Sequence, residues 1–342
     1  MAGPSAAPQP AYVSDIHQQP DSLAALLEAR PDRDAVAVLD RLTSYSRVVL
    51  TGMGASLFAL HPTYRRLAAA GVAVHLYETA ELLGVADGVL ADDCLLWVLS
   101  QSGTSAEVVA LLDALPQRRV TVLATTNDPA SPLAAAAHAV LELHSGREGT
   151  VGTRSYVNSL AALALAHGRA LHVDTRTAVQ AAPGAVADYL ADSPARIEEL
   201  ARLLPDGTTF LLGRGDSLAA AWTGALIIKE AAHHPVEGMS VPQFRHGPLD
   251  MADASVTVAV LAGADPDREL NRRMYDDLVG FGAHALWLSP RPDDGVRIPG
   301  LTGAALPVAE IVPLQLVSVV LAQRAGRVPG EFRQIGKVTR LL

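Results

Sequence analysis

The stretch CLLWVLSQSGTSAEVVALLDAL, residues 94–115, decides the fold of this 342-residue chain. It opens with uncharged apolar residues, CLLWVL, passes through the polar run SQSGTS at 100–105, and continues in an Ala/Leu-rich segment of helical length. A continuous apolar run of this kind is typical of a parallel strand that is covered on both faces by helices. The stretch therefore predicts a strand, a polar loop and a helix in that order.

The same alternation extends in both directions from this stretch. Further short strands are predicted at 47–52, 72–77, 120–126 and 140–143, and the pattern restarts after the helical region SYVNSLAALALAHGRAL with strands at 208–215, 256–263 and 284–289. Strands that alternate with helix-length segments indicate a doubly wound parallel α/β sheet. Two of the strands end alike, in VVLTGMGAS and FLLGRGDS, with Gly52 and Gly213 separated by 161 residues. We interpret this as an internal duplication, although chance similarity is the alternative.

The predicted organisation has three parts. Residues 1–10 read MAGPSAAPQP and are expected to be a disordered tail, residues 11–190 a first domain with an N-terminal helix, and residues 191–342 a second domain. The boundary is placed near residues 180–200, where prolines and a glycine interrupt the helical pattern.

Composition excludes several classes of function. The net charge of −9 is the wrong sign for a general nucleic-acid binder, and aromatic residues at 4% offer few stacking surfaces. No secretory leader and no uncharged apolar span of membrane length is expected. The single cysteine, Cys94, lies in an apolar run and is expected to be buried rather than nucleophilic. The sequence therefore predicts a soluble cytoplasmic protein that acts on a small molecule, with no nucleic-acid or membrane partner.

A glycine turn follows the first strand. Gly52 and Gly54 would allow a tight turn that brings the backbone close to an anionic ligand at a helix start, with Ser56 just inside that helix. A dinucleotide site is the alternative, because Glu78 ends the next strand where an acidic residue would bind a ribose. The third glycine of that fingerprint is missing, since Phe58 and Ala59 occupy its region.

The run 100–105, which we call the serine loop, packs four hydroxyls and one amide between a strand and a helix. Neutral donors and a helix dipole suit a phosphate monoester. One serine would suffice for an ordinary helix cap, so phosphate binding is the preferred interpretation. The lysine of a nucleotide triphosphate loop is absent from this stretch.

At this point the chain resembles the sugar-isomerase (SIS) domain proteins. It is most similar to the tandem type found in the isomerase half of glucosamine-6-phosphate synthase and in stand-alone amino-sugar-phosphate isomerases and deaminases. Six ordered segments carry the resemblance: DIHQQP (15–20), SQSGTS (100–105), EGTVGTRSY (148–156), LGRGD (212–216) with GALIIKE (224–230), RHGPL (245–249) and RQIGKVT (333–339). The resemblance implies two duplicated flavodoxin-like αβα domains.

The resemblance also implies roles for individual residues. The positions that hold the sugar phosphate match Ser56, Ser100, Gln101, Ser102 and Ser105, and Gly52, Gly54 and Thr153 are expected to complete the binding set. The carboxylate that moves a proton between C1 and C2 matches Glu230. The ring-opening histidine, which reaches in from the neighbouring subunit in the family, matches His246. A tail lysine near the sugar carbonyl oxygen matches Lys337.

The chemistry of these residue types agrees with the roles. Proton abstraction beside a carbonyl needs a base whose pKa is raised towards neutrality, and Glu230 lies in the apolar segment SLAAAWTGALIIKEAAHH, with Thr223, Ile227 and His234 predicted on its helical face. A loop histidine that titrates near neutral pH suits ring opening.

Each of these residues has an alternative interpretation. Glu230 could be a solvated helix-end acid, His246 a structural hydrogen-bonding group, and Lys337 a surface lysine. Metal ligation by His233 and His234 is less favoured, because adjacent helical residues point to different faces.

The chain departs from the synthase pattern at three positions. Thr104 replaces a glutamate of the loop, Thr223 a second glutamate and Ile227 a lysine, so the expected site is less charged than that of the synthase. Glucosamine-6-phosphate synthesis itself is therefore not the predicted reaction.

The predicted function is the processing of glucosamine 6-phosphate or N-acetylglucosamine 6-phosphate. Proton abstraction at C2 would form an enediol or enolamine and give aldose–ketose isomerisation with or without deamination. A dehydratase that expels the C3 hydroxyl from the same intermediate, a non-catalytic sugar-phosphate sensor and a nicotinamide-dependent oxidoreductase remain alternatives. No cofactor or metal is expected, because the carbonyl of the substrate serves as the electron sink, and a homodimer with its active site at the subunit interface is expected.

Overall fold

The computed structural model describes residues 9–115, 119–204, 207–291 and 294–340. Most of the predicted disordered tail, residues 1–8, lies outside the described residues.

Ten strands occur in the described ranges. They are β1 Arg47–Gly52, β2 Val74–Glu78, β3 Cys94–Leu99, β4 Val120–Thr126, β5 Ala139–Glu142, β6 Thr208–Gly213, β7 Val236–Ser240, β8 Val256–Leu261, β9 His284–Ser289 and β10 Val296–Arg297. The eight predicted strands all form, with ends within two residues of the expected positions. The prediction missed β7, whose sequence VEGMS has no continuous apolar run, and β10, which is only two residues long.

Each half of the chain forms one five-stranded parallel sheet. The first sheet has the order β2-β1-β3-β4-β5, and the second, read from the other edge, has the order β7-β6-β8-β9-β10. Both are the same doubly wound arrangement, in which the first strand of the unit pairs with the second on one side and the third on the other. The predicted fold class and the internal duplication are confirmed.

Helices pack on the sheets and between them. They are α1 Ala11–His17, α2 Gln19–Glu28, α3 Arg33–Asp40, α4 Ala55–Ala69, α5 Thr79–Val89, α6 Ala106–Asp113, α7 Pro132–Ala136, α8 Arg154–Ala170, α9 Arg176–Gln180, α10 Ala182–Leu190, α11 Ser193–Leu203, α12 Leu218–Ala232, α13 Val241–Arg245, α14 Asp267–Gly280 and α15 Leu306–Arg324. The region 180–200, where the domain boundary was placed, consists mainly of α10 and α11. Cys94 is fully buried in β3, and burial raises its thiol pKa to about 11, so the thiol stays protonated near neutral pH.

The most apolar helix, α15, lies in the core. The segment Gly303–Arg324 is long and apolar enough, by length and composition, to cross a membrane, but 94% of its most apolar window is buried inside the protein. It carries one acid, Glu310, which is fully buried and accepts a hydrogen bond of 2.7 Å from Ser217 Oγ. Burial of this kind is what a central core helix requires.

Helix α12 of the second half packs closely on its neighbours. A methyl group added to Gly224 would lie 2.4 Å from Leu314 Cδ1 of α15, so only glycine permits this approach. A methyl group added to Gly238 of β7 would lie 2.4 Å from the carbonyl oxygen of Ala221. The small residues of α12 therefore allow it to lie deep between α15 and β7.

The same helix runs antiparallel to α4 of the first half. Asp216, just before α12, pairs with Arg65 and Arg66 near the end of α4, and the rings of Trp222 and Phe58 lie 5.6 Å apart. Further along, a Cβ added to Gly54 would lie 3.5 Å from Leu226 Cδ2. This register brings the end of α12 to the start of α4.

Candidate active site

The glycine turn and the serine loop meet at one point of the first sheet. They follow β1 and β3, which are adjacent strands on either side of the position where the strand order reverses. Ligands of doubly wound proteins bind outside the carboxyl ends of the strands at this position. The glycine turn passes close to the end of β3, because a Cβ on Gly52 would lie 3.0 Å from the Leu99 carbonyl oxygen and 3.0 Å from the Leu57 nitrogen.

The serine loop is folded by its own hydrogen bonds. The backbone N–H of Gly103 donates to Ser100 Oγ at 3.1 Å, and the backbone N–H and hydroxyl of Thr104 donate to Ser102 Oγ at 3.2 and 3.1 Å. Ser105 precedes α6 but makes no side-chain capping bond. Ordinary capping therefore does not account for the last hydroxyl of the loop, which favours the phosphate-binding interpretation.

Gly103 is required by the shape of this loop. Its φ of +62° is left-handed, and a Cβ there would stand 2.2 Å from Ser131 Oγ and 2.6 Å from Ser131 Cβ. The Gly103 carbonyl also accepts a hydrogen bond from the Leu133 N–H. The loop is therefore anchored against the start of α7.

We expect Gly103→Ala to displace the serine loop and weaken binding of sugar phosphates by at least tenfold, with a loss of stability of about 1–3 kcal/mol from the backbone strain. Gly326→Ala is the matched control, because Gly326 has a similar φ of +64° but no neighbour within 4 Å of its Cβ position. Titration calorimetry and thermal unfolding of the two variants separate the effects. Equal affinity in Gly103→Ala and Gly326→Ala would contradict the prediction.

Ser56 lies in the first turn of α4, whose N-cap is Gly54 with φ +51°. The Ser56 N–H donates to the Met53 carbonyl, and its half-buried side chain makes no hydrogen bond among the described residues. Its hydroxyl is therefore available at a helix N-terminus.

Glu230 lies at the end of α12, which stops at Ala232. Leu226, one turn earlier, already lies beside Gly54 at the start of α4. A further turn advances about 6 Å along the helix, so Glu230 is carried past the N-terminus of α4 towards the two loops. His233 adopts a left-handed conformation with φ +51°, so His234 lies beyond the helix, and its predicted place on the Glu230 face is wrong.

The Glu230 carboxyl has the properties of a general base. Burial raises its pKa to about 7, against the opposing charge of Lys337. No hydrogen bond or ion pair reaches the carboxyl from the described ranges of the chain. A half-buried acid without a fixed partner among the described residues, with a pKa near neutrality, suits proton transfer to and from carbon.

Lys337 comes to the site on the C-terminal segment. Its Nζ donates to Glu148 Oε2 at 3.0 Å, and two residues later the Thr339 carbonyl accepts a hydrogen bond of 3.1 Å from the Ala106 N–H at the start of α6. The C-terminal segment therefore links the serine loop's helix to the acidic groups of the site.

The structure adds Glu148 and Tyr12 to the site. Glu148 is buried, and both Thr153 donors, the N–H at 2.8 Å and the hydroxyl at 3.1 Å, bond to its Oε1. Thr153 was predicted to contact substrate, but in this structure its polar hydrogens are directed to Glu148. Tyr12 is buried, close enough to feel the charges of Glu148 and Glu230, and its hydroxyl lies 2.8 Å from Ser318 Oγ. The sequence signal for Glu148 was its place at the head of EGTVGTRSY, which gave no reason to prefer it over Thr153.

The DIHQQP segment has a supporting role. Asp15 accepts from the Arg154 guanidinium at 2.9 Å and from the Gly149 N–H at 3.2 Å, and Gln18 accepts from Arg154 at 2.8 Å. These contacts fix the start of α8 and the loop that carries Glu148.

His246 is exposed at the end of α13, and its side chain makes no hydrogen bond within the described parts of the chain. Its neighbour Arg245 is paired with Asp277 on α14, which directs this loop along the outer face of the second domain. Within one chain, the charge of Lys337 reaches Glu230 and the segment that carries Lys337 bonds to the start of α6, whereas His246 shares no hydrogen bond with these groups in the described residues.

Two alternatives can be compared with the geometry. Glu78, at the end of β2, pairs in register with Gly52, so the acid of the dinucleotide interpretation lies at the correct edge of the sheet. The hydroxyl groups of the serine loop nevertheless favour a phosphate monoester over a dinucleotide. Among the described residues, no group of three His, Cys, Asp or Glu side chains could hold a metal ion. A cavity of about 1080 Å³ lies elsewhere, along β5, and is lined by neither the serine loop nor Glu230.

Comparison with known proteins agrees with the motifs. The SIS domain family model matches residues 41–167, which include both loops. Glutamine–fructose-6-phosphate aminotransferase (isomerizing) from Pyrococcus horikoshii is 28% identical over 344 residues, which cover 95% of this chain and 56% of that protein. The chain thus spans about half the length of the curated relatives it matches.

Two solved structures share the whole fold. Glucosamine-6-phosphate deaminase from Thermotoga maritima has a TM-score of 0.80 at 19% identity, covering 97% of this chain and 100% of that chain. The C-terminal domain of glucosamine-fructose-6-phosphate aminotransferase from Francisella tularensis has a TM-score of 0.82 at 18% identity, covering 96% and 100%. At these identities the likeness establishes the fold.

Proposed function

We propose that the protein is an amino-sugar 6-phosphate isomerase or deaminase, because residues 41–167 match the SIS domain family model and the second half of the chain repeats the same strand order. The substrate is glucosamine 6-phosphate or its N-acetyl form. The names of the relatives above, which act on or form such sugars, support this choice of substrate class.

One observation carries the proposal. The Glu230 carboxyl, with a pKa raised by burial to about 7, lies where α12 passes the N-terminus of α4. Neutral hydroxyls and two helix N-termini bind the phosphate on one side, and the base reaches C2 on the other. A non-catalytic sensor would need the serine loop but has no use for a base of this pKa.

The steps follow from this arrangement. The Glu230 carboxylate removes the C2 proton of the open-chain sugar, and the electron pair moves into the C1 carbonyl to give an enediol or enolamine. The Lys337 ammonium stabilises the negative charge that develops on the carbonyl oxygen. The C1 oxygen gains a proton, protonated Glu230 returns its proton to C1, and the oxygen or nitrogen on C2 loses one to solvent as the double bond to C2 forms, which completes isomerisation. Hydrolysis of the resulting imine at C2 releases ammonia when the nitrogen is unacetylated.

The substrate experiment is incubation with glucosamine, N-acetylglucosamine and fructose 6-phosphates in heavy water, followed by mass analysis. Deuterium incorporation with unchanged composition indicates isomerisation, and loss of ammonia indicates deamination. Loss of water would reassign the reaction to elimination of the C3 hydroxyl. No deuterium entry above a protein-free blank for any of the three would overturn the proposal.

We also propose a homodimer in which His246 serves the site of the partner subunit, because its side chain is exposed and makes no hydrogen bond within the described residues of its own chain. Mixing inactive Glu230→Gln with inactive His246→Ala after subunit exchange is expected to restore about a quarter of the parental activity, since one site in four is then intact. Rate assays on the mixture, with sedimentation analysis for the dimer, provide the measurement. Absence of any recovery in a dimer that has exchanged would place His246 outside the partner's site.

A further inference from the structure

Three carboxyl groups face the single ammonium of Lys337. Burial raises the pKa of Asp15 and of Glu230, and the charge of Lys337 opposes that rise at both; at Glu148, Lys337 and hydrogen bonds outweigh burial and the pKa is lowered. Asp15 is paired with Arg154 at 2.9 Å and Glu148 with Lys337 itself at 3.0 Å, whereas Glu230 has no ion-pair partner within the described ranges. Lys337 is therefore held by one acid while it lies within reach of the base.

Glu148 is a preformed anion site for that ammonium. Its Oε1 accepts from the Thr153 N–H, the Thr153 hydroxyl and the Ser155 N–H, and its Oε2 accepts from the Ser155 hydroxyl at 2.6 Å. Burial alone would raise the pKa of Glu148, but Lys337 and these donors together hold it below the ordinary value. The backbone donors belong to the start of α8, so the carboxylate cannot move with the C-terminal segment.

We propose that Glu148 is a positioning residue, whose carboxylate fixes the Lys337 ammonium beside the site and prevents it from forming an ion pair with Glu230. This inference rests on the proposed function only for the role of Glu230 as base. The ion pair between Lys337 and Glu148 is observed in the structure and does not depend on that role.

The chemical reason is the strength of the base. An ammonium in direct contact with Glu230 would stabilise the carboxylate and lower its pKa by about 1–3 units, and a carboxylate with a lower pKa removes a proton from carbon more slowly. Glu148 competes with Glu230 for the ammonium. The carboxylate of Glu148 is ionised and is held in place by several hydrogen bonds. The ammonium is thus kept for the substrate oxygen while Glu230 keeps a pKa near neutrality.

Other charged groups lie around the end of α12. Lys229 is exposed on the same helix. Burial, together with the charges of Arg333 and Arg327 of the C-terminal segment, lowers the pKa of His233. Arg327 donates to the carbonyls of Ala232 and His233, so it caps the helix rather than facing the carboxyl. In the parts of the chain that are described, Lys337 is the cation whose charge reaches Glu230. Tyr12, with a pKa raised by burial, is neutral beside it.

The test is a direct titration of Glu230 that needs no turnover. The carboxyl ¹³C resonance of Glu230, assigned by its loss in Glu230→Gln, is followed against pH in four further proteins. In Glu148→Gln the freed ammonium pairs with Glu230, so the midpoint is expected to fall by about one pH unit or more. In Lys337→Met the midpoint rises above the parental value, and the double variant Glu148→Gln/Lys337→Met matches Lys337→Met.

Glu310→Gln is the matched control, since it removes another buried carboxyl, in the second domain, and leaves the midpoint unchanged. An unchanged or raised midpoint in Glu148→Gln would overturn the proposal. A lowered midpoint with no turnover in the parent would refute the proposed function and leave the pairing intact.

A second measurement avoids dependence on the folding of Glu148→Gln. Lys337 is on the partly exposed C-terminal segment, so Lys337→Met is expected to fold. If the ion pair with Glu148 holds the segment in place, the Ala106 amide, which donates a hydrogen bond to the Thr339 carbonyl, should exchange its hydrogen with solvent at least several-fold faster in Lys337→Met than in the parent. Parental protection of Ala106 in Lys337→Met would show that Glu148 does not fix the segment.

Discussion

Glu230→Gln is expected to reduce turnover, and deuterium entry at C2 of the substrate, by roughly 10²–10⁴-fold. The amide has nearly the same shape as the acid, but it cannot accept a proton from carbon. Since the proposed phosphate site lies in the loops that follow β1 and β3, away from the Glu230 carboxyl, the dissociation constant for the sugar phosphate should change little. Steady-state kinetics and calorimetric binding measure the two quantities separately.

The control for this variant is Lys229→Gln, which changes the adjacent exposed residue and should leave both quantities unchanged. The pH profile of the parent gives an independent check. Because the folded pKa of Glu230 is about 7, the rate should fall as the pH is lowered through 7, where the carboxylate becomes protonated. Turnover that persists in Glu230→Gln, or a rate independent of pH between 5 and 8 in the parent, would contradict the assignment.

Glu310→Gln is expected to stabilise the protein, with an effect that grows with pH. Burial raises the pKa of Glu310 to about 8, while a glutamate in the unfolded chain titrates near 4.5. The pKa of Glu310 is higher in the folded state than in the unfolded state, so its contribution to stability is fully present below the unfolded pKa and is lost as the pH rises through the folded pKa. Between these two pKa values only the unfolded state releases the proton, which favours unfolding. At pH 7 the cost of keeping Glu310 neutral is on the order of 3 kcal/mol, and a neutral amide avoids it.

The surroundings of Glu310 can accept the amide. Its Oε1 accepts the hydrogen bond from Ser217 Oγ, and its Oε2 has no hydrogen-bond partner among the described residues. Asn271 Oδ1, another buried oxygen of the same cluster around Gly263, also lacks a partner there. Urea unfolding at pH 4.5, 6 and 8 provides the measurement, with Glu28→Gln, an exposed residue at the end of α2, as a control that stays near zero. A stability difference that does not depend on pH would show that Glu310 is not held neutral in the folded protein.

The duplicated α/β fold was readable from the sequence because its strands are buried on both faces. A run such as CLLWVL has no polar residue to expose, and the same strand–glycine ending at Gly52 and Gly213 indicated the repeat. The strand β7 did not follow this rule, since its Glu237 is exposed and its Gly238 is required by contact with α12.

The nature of the site was predicted in part. The serine loop and Glu230 were identified because each is a local pattern, polar donors between strand and helix in one case and an acid in an apolar helix in the other. Helix ends depend on local backbone geometry that the pattern does not contain, and so His234 was placed on a face that ends before it.

What the sequence determined by itself is therefore the two sheets, and from local patterns it predicted two anion-binding turns and a candidate base, Glu230. Only the tertiary structure decided that α12 of the second half passes the start of α4 of the first, that Thr153 bonds to Glu148, and that Glu148 holds Lys337. The physical reason is distance along the chain. Periodicity and local donors report on neighbours within one element, whereas residues 148 and 337 lie 189 positions apart and meet only through the packing of separate segments.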